Sequence, residues 1–458
     1  MSAMAAFTKI HLGAAAHAAK FAGLIEGESL PRHPCMVAER RRDDEMPSST
    51  STPITPISWR AHILVLFAGC LIAMLAFGPR SSSGMFLLPM TSEFGWGRDV
   101  FGLAIAIQNI VWGTAQPFAG AVADRFGVVR VMWVGGLLYA LSLTLMAYSS
   151  TPGLLDLSAG VIFGFALSGC SFNMVIAAFG KILPEPMRPL AFGAATAAGS
   201  FGQFLFPPLA SGLISEIGWQ ETLVVFGGIM LLILPLSLAL AMRGQTSAGG
   251  PGLRDQSIVE ALLEAFRHPS YVLLVTGFFT CGFQLAFITV HLPAYLADIG
   301  LSASIGGWTL AVIGLFNIVG SLLSGALSSR MPKRWLLAII YFGRAAAIAV
   351  FVLLPPSPVT SIGFGMVIGF LWLSTVPPTS GLVMVMFGNR YLAMLFGFVF
   401  FSHQVGGFLG VWLGGLLYES TGSYAIVWWL SVALGIASAV INLPIKERPV
   451  IRTATAST

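Results

Sequence analysis

The sequence predicts an all-α membrane protein in which twelve transmembrane helices form two six-helix bundles. Three observations support this fold class. Of the 458 residues, 56% are hydrophobic and 9% are charged, whereas a water-soluble domain needs about 25% charged residues to cover its surface. Twelve apolar runs of transmembrane length follow one another along the chain. The second half of the chain also repeats the first, which indicates duplicated bundles.

The apolar runs are each about 20 residues long or longer, which is the length of helix that crosses a bilayer. Charged residues and turns separate them. The runs start near residues 59, 99, 128, 153, 188, 220, 270, 304, 334, 359, 391 and 423. Twelve helices leave almost no room for a soluble domain, so we expect most of this chain to lie in the lipid bilayer.

The distribution of basic residues predicts the orientation of the helices. If both termini are cytoplasmic, the inside loops and the C-terminal tail hold nearly all of the loop lysines and arginines, and the outside loops hold Arg98 alone. Positive charge concentrates in short cytoplasmic loops. We therefore expect a multi-pass protein of the cytoplasmic membrane with both termini inside. This asymmetry also accounts for the basic pI of about 9.2, so nucleic acid is not implied.

Residues 1–57 differ in composition from the rest of the chain. They contain an Ala-rich start, the cluster RRRDDE at 40–45 and a stretch rich in Pro, Ser and Thr. We expect a disordered cytoplasmic tail without a secretory signal. The four cysteines predict no disulfide framework, because three lie inside apolar runs and the fourth lies in this tail.

An internal repeat divides the membrane region into two copies. A shift of about 205 residues brings GAVADR at 120–125 onto GALSSR at 325–330. The predicted organisation is a tail at 1–57, an N-terminal bundle at 58–242, a cytoplasmic linker at 243–269, a C-terminal bundle at 270–446 and a tail at 447–458. Parallel six-helix repeats are the architecture of secondary transporters, whose binding site lies between the halves.

The segment GAVADRFGVVRV at 120–131 resembles the signature loop between the second and third helices of the major facilitator superfamily. The matching residues are Asp124, Arg125, Gly127 and Arg130. The resemblance covers the whole membrane region and implies the fold of that superfamily. Within it, the stretch at 101–127 and the Gly-Pro-Arg at 78–80 look like the monocarboxylate porter branch, whose first helix carries a Pro-Lys or a similar cation.

The eighth helix departs from the pattern of that branch. The branch usually has an Asp and an Arg in this helix, and the aligned positions here are Asn317 and Ser321. The resemblance therefore implies the fold and a small carboxylate as the substrate class, without the branch's usual charge pair. Asn317 remains a candidate substrate contact.

Arg80 is the residue on which the functional prediction depends. The repeat pairs it with Gln284, which lies 13 residues beyond Tyr271, or roughly 20 Å into its own helix. We expect the two side chains at one depth, facing each other across the pseudo-two-fold axis. A charge held there is costly and is kept against water, a partner or a substrate. In the alternative interpretation, Arg80 reaches the outer surface of the bilayer.

The residues around Arg80 favour a position that lines a cavity. Gly78 and Pro79 interrupt the predicted helix, and the serines at 81–83 can satisfy the freed backbone groups. Interrupted backbone within a membrane is tolerated where it lines a cavity or packs on protein.

Other polar residues in the apolar runs are candidate substrate contacts. His403, on the eleventh helix, either lines the cavity and carries a co-transported proton or is a neutral core histidine. Each of the remaining candidates can instead bind a neighbouring helix. They are Gln108, Asn109, Asn173, Gln203 and Asn317. We expect a structural partner for Arg344, because the ninth helix is peripheral in the superfamily.

No Asp or Glu falls in the middle third of any apolar run, although proton relays in pumps and cation transporters usually use such carboxylates. A positive cavity without a buried acid favours an anionic substrate. A monocarboxylate fits, because Arg80 can bind its two oxygens through forked hydrogen bonds. The alternative is a proton-coupled exporter of drug-like or amphipathic molecules, which the glycine-rich fifth helix at 193–212 favours.

The charged loop after the second helix is predicted to be a gate. Asp124, Arg125 and Arg130 can latch the two halves when the transporter faces outward, and in the second copy Arg330 remains without an acid. The sequence has no phosphate-binding loop ending in Lys and Ser or Thr, and no HExxH motif. We therefore expect neither an ATP-driven pump nor an enzyme, no cofactor and no metal, and a chain that acts as a monomer.

Overall fold

The computed structural model describes residues 59–184, 187–241, 257–388 and 391–450, and within these ranges it contains helices and turns but no strand. The predicted tail at 1–57 lies outside the described residues. So do residue 242 at the end of the predicted N-terminal bundle, residues 243–256 of the predicted linker and residues 451–458 of the predicted C-terminal tail.

Twelve helical rods, α1 to α12, correspond to the twelve predicted runs, and short loops join consecutive rods. The N-terminal half contains α1 (Trp59–Ser81 and Gly84–Phe94), α2 (Arg98–Phe126), α3 (Val128–Ala147), α4 (Pro152–Ile182), α5 (Arg188–Ile217) and α6 (Trp219–Met230, Ile233–Leu238 and Ala239–Ala241). The C-terminal half contains α7 (Pro269–Asp298), α8 (Ala303–Ser328), α9 (Lys333–Leu353), α10 (Pro358–Leu371 and Val376–Phe387), α11 (Leu392–Thr421) and α12 (Ala425–Asn442). A linker helix, Ile258–Arg267, precedes α7.

The predicted all-α fold is confirmed. Ten of the twelve rods in the described part of the chain are long and apolar enough to cross a membrane. The other two are α2 and α5, which both pack against the opposite half and carry more polar and small residues. Because consecutive rods run in opposite directions, the bundle has two ends. We call the end with Trp59 and Val450 the terminal face and the end with the loops at 95–97, 299–302 and 422–424 the distal face.

The break in α1 lies next to Arg80. The helix continues through Pro79 to Ser81, turns at Ser82 and resumes at Gly84. The hydroxyls of Ser81 and Ser82 both donate to the carbonyl of Gly78, at 2.6 and 3.0 Å. The sequence predicted an interruption at Gly78 and Pro79. The helix instead breaks after Ser81, where serine hydroxyls compete with the backbone for its hydrogen bonds.

The two halves pack closely from the distal face to about the middle of the bundle. α2 and α11 are in contact over this length, and a Cβ placed at Gly113 would lie 2.8 Å from the Cβ of Gln404. Two turns nearer the terminal face, Gly120 and Gly397 occupy the same sides of their helices. A Cβ at either position would meet no described atom within 4 Å. The halves therefore separate toward the terminal face.

The pair formed by α5 and α8 shows the same divergence. Near the middle of the bundle, the Asn317 amide on α8 donates to the Ser200 hydroxyl on α5 at 2.9 Å. Toward the terminal face, Cβ atoms at Gly193 and Gly325 would again meet no described atom within 4 Å. The structure is thus closed on the distal side and open between the halves on the terminal side.

Candidate functional site

Arg80 lies at the interface between the two halves. Its Nη2 donates to Asn109 Oδ1 at 2.8 Å, and its guanidinium carbon lies 4.8 Å from the centroid of the Trp112 ring. Asn109 is 11 residues into α2, or about 16 Å from the distal end of that helix. The side chain is therefore held inside the bundle, away from its distal end.

A small cavity adjoins the guanidinium. Its volume is about 10 Å³, enough for roughly one water molecule. The lining comes from α1 and α2 in one half and from α7 in the other. It consists of Arg80, Ser83, Ile105, Gln108, Asn109, Ala286, Thr289 and Val290.

Arg80 has no carboxylate partner among the described residues, where the one ion pair within 4 Å is Arg98–Asp298. Its Nε is buried and makes no hydrogen bond within the described structure. Arginine carries five donor hydrogens, so its bond to Asn109 leaves most of them free. The site therefore contains a guanidinium that is fixed in position and still has N–H groups free to donate hydrogen bonds.

An aromatic pair connects Arg80 to His403 across the two halves. Trp112 of α2 meets Phe400 of α11 edge to face, with centroids 5.3 Å apart. Phe400 stacks on the His403 ring at 5.7 Å and 9°. The imidazole Nδ1 lies 3.0 Å from Gln404 Oε1. The two cationic or ionisable side chains predicted for the site therefore lie on opposite sides of an apolar, aromatic wall.

Gln284 does not face Arg80, and this geometric prediction was wrong. It is fully buried and its Nε2 donates to the carbonyl of Ser431 on α12 at 2.9 Å. The reason is helical periodicity in the unbroken α7. Gly277, Gln284 and His291 recur every seven residues and lie on the side of α7 that packs on α11 and α12.

Asn317 connects helices and is fully buried. Its Nδ2 donates to Ser200 on α5, and its Oδ1 accepts from the backbone N–H of Leu373 at 3.0 Å. Leu373 lies in the break of α10, where backbone groups lack helical partners. Both ends of the amide are thus occupied, which leaves this predicted substrate contact engaged with protein.

Gln108 and Asn173 occupy different surroundings. Gln108 lines the small cavity, its Nε2 donates to the carbonyl of Ala159, and its buried Oε1 has no partner in the described structure. Asn173 is half-buried and follows the interruption of α4 at Ser171. The structure therefore brings Gln108 to the site and places Asn173 on another helix of the same half.

The residues predicted to gate the terminal face are spread over an open surface. Arg125, Arg130 and Arg330 are exposed, and the side chain of Asp124 lies outside the described residues. Arg330 lines a wide cavity of about 730 Å³ between the α8–α9 loop and residues 446–448. Because the halves are apart at this face, the predicted latch stays a prediction.

The distal face carries a gate that the sequence analysis did not identify. Arg98 binds Asp298 through two hydrogen bonds of 2.6 and 2.7 Å, and its backbone N–H donates to Glu419 at 2.8 Å. The guanidinium also lies 3.8 Å from the Tyr418 ring centroid. One signal was present in the sequence, since Arg98 is the lone basic residue of the loops that were predicted to lie outside, beside several acids.

Arg344 has the structural role expected of it. It is fully buried on α9 and donates to the carbonyls of Leu371 and Trp372 at the break in α10. These carbonyls lack helical partners because the helix stops there. The guanidinium caps them and holds the two pieces of α10 against α9.

Comparisons with known proteins agree on one family. The sequence model of the protein family described as Major Facilitator Superfamily matches residues 69–411 of this chain. The chain is 28% identical over 371 residues to the uncharacterized MFS-type transporter YcxA of Bacillus subtilis (strain 168), covering 80% of this chain and 90% of that protein. It is 24% identical over 405 residues to monocarboxylate transporter 13 of Bos taurus, covering 83% and 89%.

A solved structure has the same architecture. It is a bacterial homologue of the human lysosomal transporter Spinster, crystallised in an inward-facing and unoccupied conformation, with a TM-score of 0.68 and 17% sequence identity over 85% of this chain and 96% of that chain. At this level of identity the likeness shows the fold.

Proposed function

The chain belongs to the major facilitator superfamily, and on that premise we propose that it is a secondary active transporter of a small organic anion, a monocarboxylate. It works by alternating access in the cytoplasmic membrane, with both termini in the cytoplasm and the terminal face toward the cytoplasm. Its relatives are transporters and not enzymes.

The observation that carries this proposal is the unpaired charge of Arg80. The guanidinium is held between the halves by Asn109 and Trp112, and within the described residues it meets no carboxylate. A cation kept in a membrane protein without a balancing acid is a functional position by default. An anionic substrate supplies the missing charge, and its carboxylate binds the free donors of Arg80.

Charge balance favours one carboxylate over two. Arg80 provides one fixed positive charge, and the cavity beside it is otherwise lined by neutral side chains. The aromatic pair of Trp112 and Phe400 gives an apolar surface to the rest of the molecule. A dicarboxylate would bring a second charge for which these neighbours offer no partner.

The closed distal side and the open terminal side support alternating access. In the proposed orientation this arrangement is the inward-facing state, from which substrate exchanges with the cytoplasm. Opening the distal face requires the pair of Arg98 and Asp298 to separate. Proton symport is part of the proposal, because uptake of an anion against an inside-negative membrane needs a co-transported cation.

Counterflow in proteoliposomes tests the proposal. Proteoliposomes that contain the purified protein are loaded with unlabelled monocarboxylates, dicarboxylates or cationic dyes. Exchange of the internal compound with external labelled substrate is then followed. We expect exchange of monocarboxylates that is abolished in Arg80→Ala and partly retained in Arg80→Lys, since lysine keeps the charge without the fork. Arg267→Ala, an exposed arginine on the linker helix, is the control. Exchange of dyes but not of acids would support the exporter instead.

A further inference from the structure

The distal gate contains a buried histidine that the sequence analysis did not single out. We propose that His291 is a proton-binding site of this carrier, and that a proton bound there opens the distal face by releasing the hydrogen-bond network around Arg98. The inference rests on the proposed function and deepens it, because it gives the distal gate of the proposed carrier a response to external pH.

His291 is held at both ring nitrogens. It lies on α7 and is fully buried. Its Nε2 is 2.9 Å from the carbonyl oxygen of Val411 on α11, and its Nδ1 is 3.1 Å from the hydroxyl oxygen of Tyr424, just before α12. The ring also lies beside Gly414 of α11, where a Cβ would leave no room for it.

These contacts determine which nitrogen carries hydrogen in the closed state. A carbonyl oxygen accepts and cannot donate, so Nε2 must hold the hydrogen that points to Val411. A neutral imidazole has one hydrogen, so Nδ1 is the acceptor and the Tyr424 hydroxyl donates to it. Burial raises the pKa of Tyr424 above its usual value, so this hydroxyl keeps its hydrogen at neutral pH.

The same hydroxyl belongs to the gate. Arg98 Nη1 donates to the Tyr424 oxygen at 3.0 Å and to Asp298 Oδ2 at 2.6 Å. The network therefore has one direction, from Arg98 to Tyr424 to His291 to Val411, and every donor in it meets an acceptor. It joins α2 of the N-terminal half to α7, α11 and α12 of the C-terminal half.

A proton on Nδ1 is incompatible with this arrangement. Nδ1 would become a donor, so the Tyr424 oxygen would face two cationic donors, and its own hydrogen would lose its acceptor. Unsatisfied buried polar groups and like charges at one oxygen are both costly. The closed gate thus holds neutral His291, and protonation requires the network to separate.

The charged groups around His291 do not offset this cost. Arg98 faces it from α2 through Tyr424. The acids of the gate are Asp298 on α7 and Glu419 on α11, and both are hydrogen-bonded to Arg98. The phenols of Tyr418 and Tyr295 complete the surroundings and carry no charge at neutral pH.

Mass action then couples pH to gate opening. An imidazole that meets water in the open state titrates near pH 6.5, whereas the closed state accepts no proton. Since a ligand favours the state that binds it, acid favours the open distal face. Between pH 7.5 and pH 5.5 the ratio of open to closed distal gates should rise about tenfold. An acidic exterior would in this way open the carrier toward its substrate.

The test measures the gate without any substrate. Spin labels are placed at Leu154→Cys and Val359→Cys, two exposed positions at the distal ends of α4 and α10, in the full chain with its native cysteines replaced by alanine. The distance distribution is recorded by double electron–electron resonance in nanodiscs at pH 7.5 and 5.5. We expect the longer-distance population to grow about tenfold relative to the shorter one.

Two variants isolate His291, and a third controls for His403, the half-buried histidine of α11. His291→Gln keeps an acceptor and a donor but does not titrate, so we expect the same distances at both pH values. Tyr424→Phe removes the shared hydroxyl, and we expect it to weaken the pH response while Asp298 still binds Arg98. His403→Gln should respond to pH like the parent protein. Size-exclusion profiles confirm that each variant is folded.

Several results would overturn the inference. A parent protein whose distances do not change with pH contradicts it, and so does His291→Gln with the parent's response. If His291→Gln does not fold, an unchanged response in Tyr424→Phe contradicts it equally. The proposed function is judged separately, by counterflow. A carrier that exchanges monocarboxylates with a pH-independent gate keeps the proposed function and overturns the His291 inference. A pH-responsive gate without monocarboxylate exchange supports the His291 inference and overturns the proposed function.

Discussion

The Arg98 guanidinium and the Asp298 carboxylate, 200 residues apart in the sequence, join the two halves at the distal face through paired hydrogen bonds of 2.6 and 2.7 Å. Their side chains are 11% and 28% exposed, so solvent screens the pair partly. Tyr418 covers the guanidinium and Glu419 holds the start of α2. Distal closure therefore rests on a compact cluster at the ends of α2, α7 and α11.

Weakening this pair should open the distal side. Asp298→Asn keeps the shape of the side chain and removes its charge, at a cost of about 1 kcal/mol for a partly screened pair. We expect roughly fivefold faster labelling of a cysteine placed at Thr289, below the gate, by a membrane-impermeant thiol reagent added from the distal side. The exchanged pair Arg98→Asp with Asp298→Arg should restore slow labelling. Parent-like labelling of Asp298→Asn would show that another contact closes the gate.

Removing the ring over Arg80 should weaken substrate binding. Trp112 covers the guanidinium and meets Phe400, and a cation–π contact contributes about 0.5 to 2 kcal/mol. Trp112→Ala should raise the half-saturating monocarboxylate concentration about tenfold, and Trp112→Phe should raise it less. Trp308→Ala, at a half-exposed position on α8, is the matched control. Equal effects of the alanine and phenylalanine variants would contradict a role for the aromatic face.

Close packing between α7 and α11 should tolerate no side chain at Gly282. A Cβ there would overlap the carbonyl of His403, whereas one at Gly397 would meet no described atom within 4 Å. Overpacking costs about 1–3 kcal/mol, so Gly282→Ala should lower the midpoint of thermal unfolding in detergent. The same substitution at Gly397 should leave it nearly unchanged. If both variants melt alike, the helices are not held together at this contact.

Loss of the cap on α10 should destabilise the C-terminal half. Arg344→Met leaves the carbonyls of Leu371 and Trp372 without donors, and each unsatisfied buried group costs about 1–3 kcal/mol. We expect a clear drop in the unfolding midpoint, with a smaller drop for Arg344→Lys, because lysine can still donate to one carbonyl. Arg267→Met on the linker helix serves as the control. Normal stability of Arg344→Met would mean that water caps the break.

The twelve helices could be predicted from the sequence because hydropathy and charge determine which segments enter lipid. The importance of Arg80 was equally accessible, since a charge in an apolar run has few explanations. The direction of the Gln284 side chain could not be predicted, because the internal repeat gives the depth of a residue along its helix but not the side of the helix on which it lies. Gln284 and His291 lie seven residues apart on α7, and this spacing was the signal that both side chains share the face toward α11 and α12.

The distal gate shows a different kind of limit. Arg98 and Asp298 lie in loops or at helix ends of separate halves, and no pattern within either segment specifies their pairing. The contact depends on which conformational state is populated, and one sequence encodes several states. For the same reason the latch of Asp124, Arg125, Arg130 and Arg330 stays a prediction for a state in which the terminal face closes.

The single guanidinium at Arg80 has an electrical consequence for the transport cycle. When a monoanion and its co-transported proton are bound, their charges cancel, so the loaded step of the proposed symport moves the positive charge of Arg80 in the membrane potential. When the site is empty, the step carries one positive charge through part of that field, and a full crossing is worth about 2.3 kcal/mol per 100 mV. The two steps therefore respond to voltage in opposite directions, and one cycle of the proposed symport moves no net charge.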